Sequence, residues 1–212
     1  MTRPPDILDG RERKKRATRR ALRSATLDLA LERGLDSVHI NEITARAGVS
    51  PRTFFNYFET KEDAALIDAP GIEKQDLHTL SAAPSGQGLW TELGKLFADA
   101  AERTTQEITE LPRLLQLQER TPALVARQHG RFMQFEAVLA EAVAARLDDG
   151  PSARMQAELI AGAAMIALRA GTRQWIADGQ RRPAGVYVEE AFALLGELTL
   201  VGGMQQEGVR QP

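Results

Sequence analysis

Three polar residues in one short segment, Arg52, Thr53 and Asn56, have side chains that can hydrogen bond to the DNA bases or backbone. An arginine guanidinium can bond O6 and N7 of the same guanine, so Arg52 is the strongest candidate for a base contact. Thr53 lies beside it. Asn56 follows one turn later, where it would contact either a base or the DNA backbone. The sequence therefore predicts a short helix that presents these side chains to the major groove.

The surrounding segment, residues 41–58 with the sequence NEITARAGVSPRTFFNYF, has the pattern of a helix-turn-helix. Gly48 interrupts the apolar period where a sharp corner needs a left-handed residue. Ser50 can cap the next helix with its hydroxyl, and Pro51 fits the first helical position, where its missing N–H costs nothing. An ordinary corner between two helices of any helical protein would explain the same residues.

Four residues that flank the predicted recognition helix, Ser50, Tyr57, Thr60 and Lys61, are expected to contact phosphates. Thr60 is also expected to cap a further helix, whose dipole favours an anion near Lys61. We expect Lys61→Ala to weaken binding to all DNA sequences alike and to reduce its salt dependence.

The aromatic residues Phe54, Tyr57 and Phe58 supply the bulk that three short helices need to bury enough surface. Phe55 has two interpretations. It packs against a thymine methyl group, or it lies in the interface between the third helix and the first, and we favour the second interpretation.

Basic charge is concentrated at the front of the chain. Residues 1–62 contain 13 Lys and Arg against 9 Asp and Glu, a net of +4, and the remaining residues contain 14 against 20, a net of −6. Eight of the basic residues, Lys14 and Lys15 among them, lie between Arg11 and Arg23. Next to a helix-turn-helix, such a run provides the attraction that DNA binding requires. It either places an arm in the minor groove or adds non-specific affinity.

Helical periodicity and end signals predict the first three helices over about residues 13–33, 41–47 and 51–57. Leu22, Ala25 and Leu29 are expected on the buried face of the first helix, which Gly34 ends. Residues 1–12 are expected to be a flexible arm, and residues 13–60 a DNA-binding domain.

The segment LDLALERGLDSVHINEITARAGVSPRTFFNYFETKEDAAL, with the basic run before it, resembles the TetR family of bacterial transcriptional repressors over about residues 13–67. Two positions depart from the family pattern. His39 stands where the family usually has Thr or Ser to cap the second helix and touch a phosphate, so it caps poorly, adds a contact that strengthens at low pH, or is simply a surface histidine. Thr44 replaces a small Ala, which is tolerated if its hydroxyl bonds back to the helix.

The rest of the chain also has helical patterns and no strand pattern, so we expect an all-α protein with a second, larger helical domain over residues 61–206 and a disordered tail over 207–212. Helices are predicted over about residues 89–106, 112–119, 122–147, 152–177 and 186–200. The last of these is expected to close before Gly202 and Gly203. Residues 68–71 and 81–88 are expected to interrupt the helices.

The resemblance implies a homodimer formed through the last two long helices. The residues that would pair them, or would instead face the subunit's own core, are Ala157, Ile160, Ala161, Ala164, Leu168, Tyr187, Ala191, Leu194, Leu195 and Leu198. Two-fold symmetry would place two recognition helices on a palindromic double-stranded DNA operator.

The resemblance also implies a small-molecule effector pocket in the second domain, and the pattern around Phe132 and Phe135 looks similar to regulators of acyl or other lipophilic ligands. The candidate apolar lining residues are Trp90, Phe97, Phe132, Phe135, Met165 and Trp175, with Arg169 and His129 as polar anchors. For each of these residues, the interpretation as an ordinary core residue is the stronger one.

Composition excludes other classes of function. The chain has no cysteine, its 43% hydrophobic and 26% charged residues are typical of a globular protein, and no apolar run suggests a signal peptide or a membrane partner, so we expect a cytoplasmic protein. Its three histidines are widely separated, and no catalytic, metal or cofactor motif is present. A ligand-responsive repressor is therefore expected, with an effector-independent DNA-binding protein and an enzyme with an appended DNA-binding domain as alternatives.

Overall fold

The computed structural model describes residues 10–67, 71–83, 88–107, 110–148 and 150–207, and these residues form helices and no strand. The all-α prediction is confirmed. The elements are α1 (Gly10–Arg33), a 3-10 turn (Leu35–Ser37), α2 (Ile40–Ala47), α3 (Pro51–Phe55), α4 (Lys61–Ala64), α5 (Lys74–Ala82), α6 (Leu89–Glu107), α7 (Leu111–Arg120), α8 (Pro122–Ala144), α9 (Ala153–Ala177) and α10 (Ala184–Glu207). None of the helices in the described part has the length and apolar character needed to cross a membrane.

The described residues group into two compact units. The first unit takes its residues from 1–67 and 107–128, and the second from 68–106 and 129–212. The first unit therefore contains α4 and α7 as well as the three helices of the predicted DNA-binding domain. The boundary between the units falls inside α8, after Gln128.

The core of the first unit forms on the predicted apolar face of α1. Leu22, Ala25 and Leu29 are buried as expected, and Leu27 is also fully buried. The rings of Phe54 and Phe58 close this core from the other side of the helix-turn-helix, with their centroids 5.7 Å apart. The short helices thus gain their stability from tertiary packing rather than from helix propensity.

Arg23 belongs to the core and not to the basic surface. Its side chain is buried, and its guanidinium donates to the carbonyl oxygens of Ala64 (3.1 Å) and Leu66 (2.9 Å). Ala64 is the last residue of α4 and Leu66 lies two residues beyond it, so neither carbonyl has a partner inside that helix. The arginine therefore anchors α4 to α1, and the attraction for DNA rests on the other basic residues of α1.

Some predicted helix ends need correction. The first helix begins at Gly10, so residues 10–12 are helical, whereas residues 1–9 of the expected arm lie outside the described residues. The last helix continues through Gly202 and Gly203 to Glu207, because glycine lowers helix propensity by only about 1 kcal/mol and keeps its N–H donor. Residues 208–212 of the expected tail are outside the described part.

The sequence interpretation missed α5 entirely. This helix buries only Leu77 and Leu80, too few apolar residues to establish a period. Its start is fixed instead by a carboxylate, since the Glu73 backbone N–H donates to Asp76 at 2.9 Å, and Arg103 of α6 donates to the same carboxylate.

Candidate nucleic-acid interface

The corner between α2 and α3 has the geometry that the sequence predicts. Gly48 ends α2 in the left-handed conformation, with φ of 68° and ψ of 32°. Ser50 caps α3 by accepting a hydrogen bond from the Thr53 backbone N–H at 3.2 Å, with Pro51 at the first helical position. Thr44, which is buried, bonds back to the Asn41 carbonyl at 3.1 Å, as expected. The corner is thus rigid, and α3 has a fixed direction.

The residues predicted to meet base edges lie in and beside α3. Arg52 and Asn56 are exposed, with Asn56 as the C-cap because α3 ends at Phe55, two residues earlier than predicted. Thr53 and Tyr57 are half-buried, and the hydroxyls of Thr53 and Ser50 hydrogen bond to each other at 2.9 Å. The structure thus leaves Arg52 and Asn56 more accessible than Thr53. Their contacts with DNA remain predictions.

Phe55 is exposed, so the interpretation that packs it between helices is wrong. Its side chain is 57% accessible, whereas Phe54 beside it is fully buried. The two rings meet edge to face, 5.6 Å apart. Adjacent side chains on a helix point about 100° apart, so Phe54 faces the core while Phe55 faces solvent.

The structure gives partners inside the protein to Thr60 and Lys61, two of the residues that were expected to contact phosphates. The Lys61 ammonium donates to the carbonyl oxygens of Leu35 (2.8 Å), Asp36 (3.1 Å) and Val38 (3.0 Å), which takes up its three protons. The Thr60 backbone N–H and hydroxyl both donate to the Asp63 carboxylate. The Lys61 ammonium and the Thr60 hydroxyl therefore donate inside the protein. Lys61 fastens α4 to the turn that precedes α2.

We expect Lys61→Met to lower the free energy of unfolding by about 2 kcal/mol, because it leaves partly buried carbonyls without donors. The salt dependence of DNA binding should change little. Urea unfolding and salt titration measure the two effects. Lys95→Met, which removes a lysine from an exposed position on α6, is the control and should leave stability within about 0.5 kcal/mol. Unchanged stability with a shallower salt slope would restore the original phosphate role.

His39 is the N-cap residue of α2, which begins at Ile40. The cap comes from Glu42, whose carboxylate accepts from the His39 backbone N–H at 2.9 Å and pairs with Arg33 at 2.6 Å. The Arg33 hydrogen bond, and then the His39 amide, lower the pKa of Glu42 below its ordinary value. The His39 ring is exposed, and the predicted contact of His39 with DNA remains a proposal.

The basic run lies on the first turns of α1. Lys14 and Lys15 are exposed, as are Arg13 and Arg20, while Arg19 stacks over the Phe58 ring at 5.0 Å. The run is thus helical where the structure describes it, and it presents positive charge from the same unit that carries α3.

In the second unit, the candidate pocket residues divide by exposure. Phe97, Phe135, Met165 and Trp175 are buried, and Trp90 and Phe132 are half-buried. The expected polar anchors His129 and Arg169 are both exposed, so neither is enclosed as an anchor in a buried pocket would be.

Phe192, which the sequence interpretation missed, is the centre around which several of these residues meet. Its ring lies 4.7 Å from Trp90 and 5.5 Å from Phe97, and Phe97 lies 6.4 Å from Phe135. The Trp90 indole N–H donates to the Phe192 carbonyl at 3.0 Å. The only sequence feature that could have identified Phe192 was its position on the apolar face of the last predicted helix. These aromatic side chains fill space against one another.

Arg146 is a second residue that the sequence did not reveal. It is buried in the turn that follows α8, and it donates to Glu92 of α6 at 2.7 Å and to the Leu80 carbonyl of α5 at 3.2 Å. The Arg146 guanidinium lowers the pKa of Glu92. This pair ties three helices of the second unit together.

Two known families match different parts of the chain. Residues 22–65 match the family described as bacterial regulatory proteins, tetR family, and residues 88–199 match the family described as MftR C-terminal domain. The HTH-type transcriptional regulator TcmR of Streptomyces glaucescens is 32% identical over 149 residues, which span 66% of this chain and 66% of that protein.

Among solved structures, the chain is similar to the transcriptional regulator FadR from Bacillus subtilis, which was crystallised in complex with stearoyl-CoA. The identity is 14% and the TM-score 0.46, over 82% of this chain and 96% of that one.

Proposed function

This chain belongs to the TetR family of bacterial transcription regulators, and from that premise we propose that it is a repressor, which binds a palindromic operator as a homodimer and is released by a small lipophilic or acyl-type effector. The exposed face of α3 carries the proposal. Arg52 and Asn56 are accessible there on a helix that Ser50 and Gly48 hold in place. Side chains fixed in this way can meet base edges without further ordering.

The operator is found by selecting bound duplexes from a random pool with the purified full chain. A palindrome should emerge, and transcription from a promoter that contains it should fall when the protein is added. A pool that stays random after repeated selection would contradict the proposed function, and a rise in transcription would contradict the repressor role.

We expect Arg52→Ala to lose about 1 to 3 kcal/mol of binding free energy at one base pair of each half-site and to accept other bases there. The reason is the loss of a bidentate bond to guanine. Binding of the variant to operators with each base pair replaced in turn measures the effect. Arg46→Ala, which removes an exposed arginine from α2, is the control and should lower affinity equally for all sequences, if at all. Equal losses for both variants on every sequence would contradict the base contact.

The homodimer is supported by an apolar surface on α9 and α10. Large apolar side chains are more than half exposed on both helices: Met155, Leu159, Ile166, Leu194 and Leu198. The small residues Ala157, Ala161 and Ala164 are buried instead and face the subunit's own core. A patch of large exposed apolar residues on a regulator marks a protein interface. To read both half-sites of a palindrome, the two recognition helices of a dimer must lie about 34 Å apart, one turn of DNA.

The effector part of the proposal rests on the apolar and aromatic character of the second unit. The effector would prefer the conformation of the dimer in which the spacing of the two recognition helices does not fit the operator. Such a ligand must weaken DNA binding by the same factor by which DNA weakens ligand binding. A long-chain acyl thioester should release the protein from its operator in an electrophoretic mobility assay. The same thiol compound without the acyl chain should not. Release by neither compound would contradict the acyl-type effector.

An effector-independent DNA-binding protein is the second candidate function. It is favoured by the close packing of two expected pocket residues, Phe97 and Phe135, against each other, and of Phe97 against Phe192. A broad screen of lipophilic compounds without any release from the operator would select this alternative.

A further inference from the structure

Phe55 stands apart from the other aromatic residues of the first unit. It is 57% exposed, whereas Phe54 and Phe58 on either side of it are 0% and 4% exposed. Within α1 to α4 and the connections between them, no other large apolar side chain in the described part of the chain is exposed to this degree. An aromatic ring left in water on a recognition helix gains free energy when a partner covers it.

The structure holds this ring in a defined direction. Its contact with the buried Phe54 ring is edge to face, with an interplanar angle of 85° and a centroid distance of 5.6 Å. The backbone beneath it is fixed by the Ser50 cap at one end of α3 and by the hydrogen bond from the Phe58 N–H to the Phe54 carbonyl (3.0 Å) beyond the other end. Little side-chain entropy remains to be lost when the ring is covered.

The chemistry of the ring limits what can cover it on DNA. Phenylalanine has no hydrogen-bond donor, so it cannot bind a phosphate oxygen or pair with a base edge. In the major groove the one apolar group that distinguishes a base pair is the C5-methyl group of thymine. Arg52, Phe55 and Asn56 are spaced at i, i+3 and i+4, which places them on one side of the helix.

We propose that Phe55 determines sequence specificity by packing its ring on the C5-methyl group of a thymine in each operator half-site. This inference rests on the proposed function, because it requires α3 to enter the major groove. Three residues along a helix span about 4.5 Å, close to the step of about 3.4 Å between base pairs. The thymine therefore lies about one base pair from the guanine bound by Arg52.

The test replaces single thymines by deoxyuridine in the selected operator, which removes the methyl group and keeps base pairing. For the wild-type protein, replacement at one position in each half-site should weaken binding about fourfold per methyl group removed. This is the value expected for one buried methyl group. Phe55→Ala should bind the thymine and uracil operators equally. Because Phe55 is exposed, this variant should keep its helical circular dichroism and melting temperature.

Arg52→Ala is the matched control. It should bind the operator more weakly but still prefer thymine to uracil at the position that Phe55 covers. If no uracil replacement changes the affinity of the wild-type protein, the inference about Phe55 is overturned, while the proposed repressor function is not affected. Persistence of the thymine preference in Phe55→Ala would overturn it too, since another side chain would then contact the methyl group. A selection that yields no operator at all would overturn the proposed function and the inference together.

Discussion

A double substitution, Leu194→Glu with Leu198→Glu, should convert the protein to a monomer and lower its affinity for the palindromic operator by on the order of 100-fold or more. The two leucines lie one turn apart on α10 and are 60% and 68% exposed in the single chain. In a dimer, two carboxylates would be buried on each side of the two-fold axis, next to their own copies. Unpaired buried charges of like sign oppose association strongly.

The loss of operator affinity would follow from the loss of one recognition helix per complex, not from a change in the other. Once one half-site is bound, the second head of a dimer meets its half-site at high effective concentration, and a monomer has no such advantage. Sedimentation velocity measures the mass, and titration of the full palindrome against a single half-site measures the affinity. The variant should bind both DNAs equally.

Ala193→Glu is the control for charge, because Ala193 is exposed on the same helix but points about 100° away from Leu194. It should remain dimeric and lose only a few tenths of a kcal/mol of stability through its neighbours Glu189 and Glu197. A Leu194→Glu, Leu198→Glu protein that sediments as a dimer would place the interface elsewhere and contradict the proposal for α9 and α10.

Local signals made the helix-turn-helix predictable. Gly48, Ser50 and Pro51 each act on the backbone next to them, so their roles follow from residue type and spacing alone. Thr44 is similar, because its hydroxyl bonds only three residues back. The all-α fold and the long helices also follow from periodicity.

Distant partners made the corrected assignments unpredictable. Lys61 binds carbonyls 23 to 26 residues earlier in the chain, and Arg23 binds carbonyls 41 and 43 residues later. A basic residue near a DNA-binding helix has the same appearance in sequence whether it faces phosphate or a carbonyl. The same holds for Phe54 and Phe55, since two adjacent aromatic residues do not reveal which of them faces the core.

The division of α9 and α10 into a core side and an exposed side was also beyond the sequence. Small and large apolar residues alternate along both helices, and either kind could have formed the interface. Ala157, Ala161, Ala164 and Leu168 are buried in the subunit, whereas Met155, Leu159, Ile166, Leu194 and Leu198 are exposed. The two helices approach each other closely at Gly171.

Gly171→Ala should destabilise the protein by about 2 to 3 kcal/mol, the upper part of the range for overpacked sites. A Cβ atom at this position would lie 2.7 Å from the Tyr187 oxygen, 2.8 Å from the Val188 Cα and 2.9 Å from the Tyr187 carbonyl carbon. All three atoms belong to the backbone of α10, so no side chain can rotate to make room. The helices α9 and α10 must separate, and the face that carries Leu194 and Leu198 shifts with them.

Urea unfolding should therefore show a lower midpoint for Gly171→Ala, and sedimentation a weaker dimer. Gly130→Ala is the control, because Gly130 lies inside α8 and the added methyl group would meet no atom within 4 Å apart from the adjoining residues and backbone of its own helix. There the substitution should stabilise the protein by about 0.5 to 1 kcal/mol, through helix propensity alone. Opposite signs for the same chemical change would show that backbone contact between α9 and α10, not glycine's flexibility, explains the residue at 171. Equal stabilisation by both alanines would contradict that close packing.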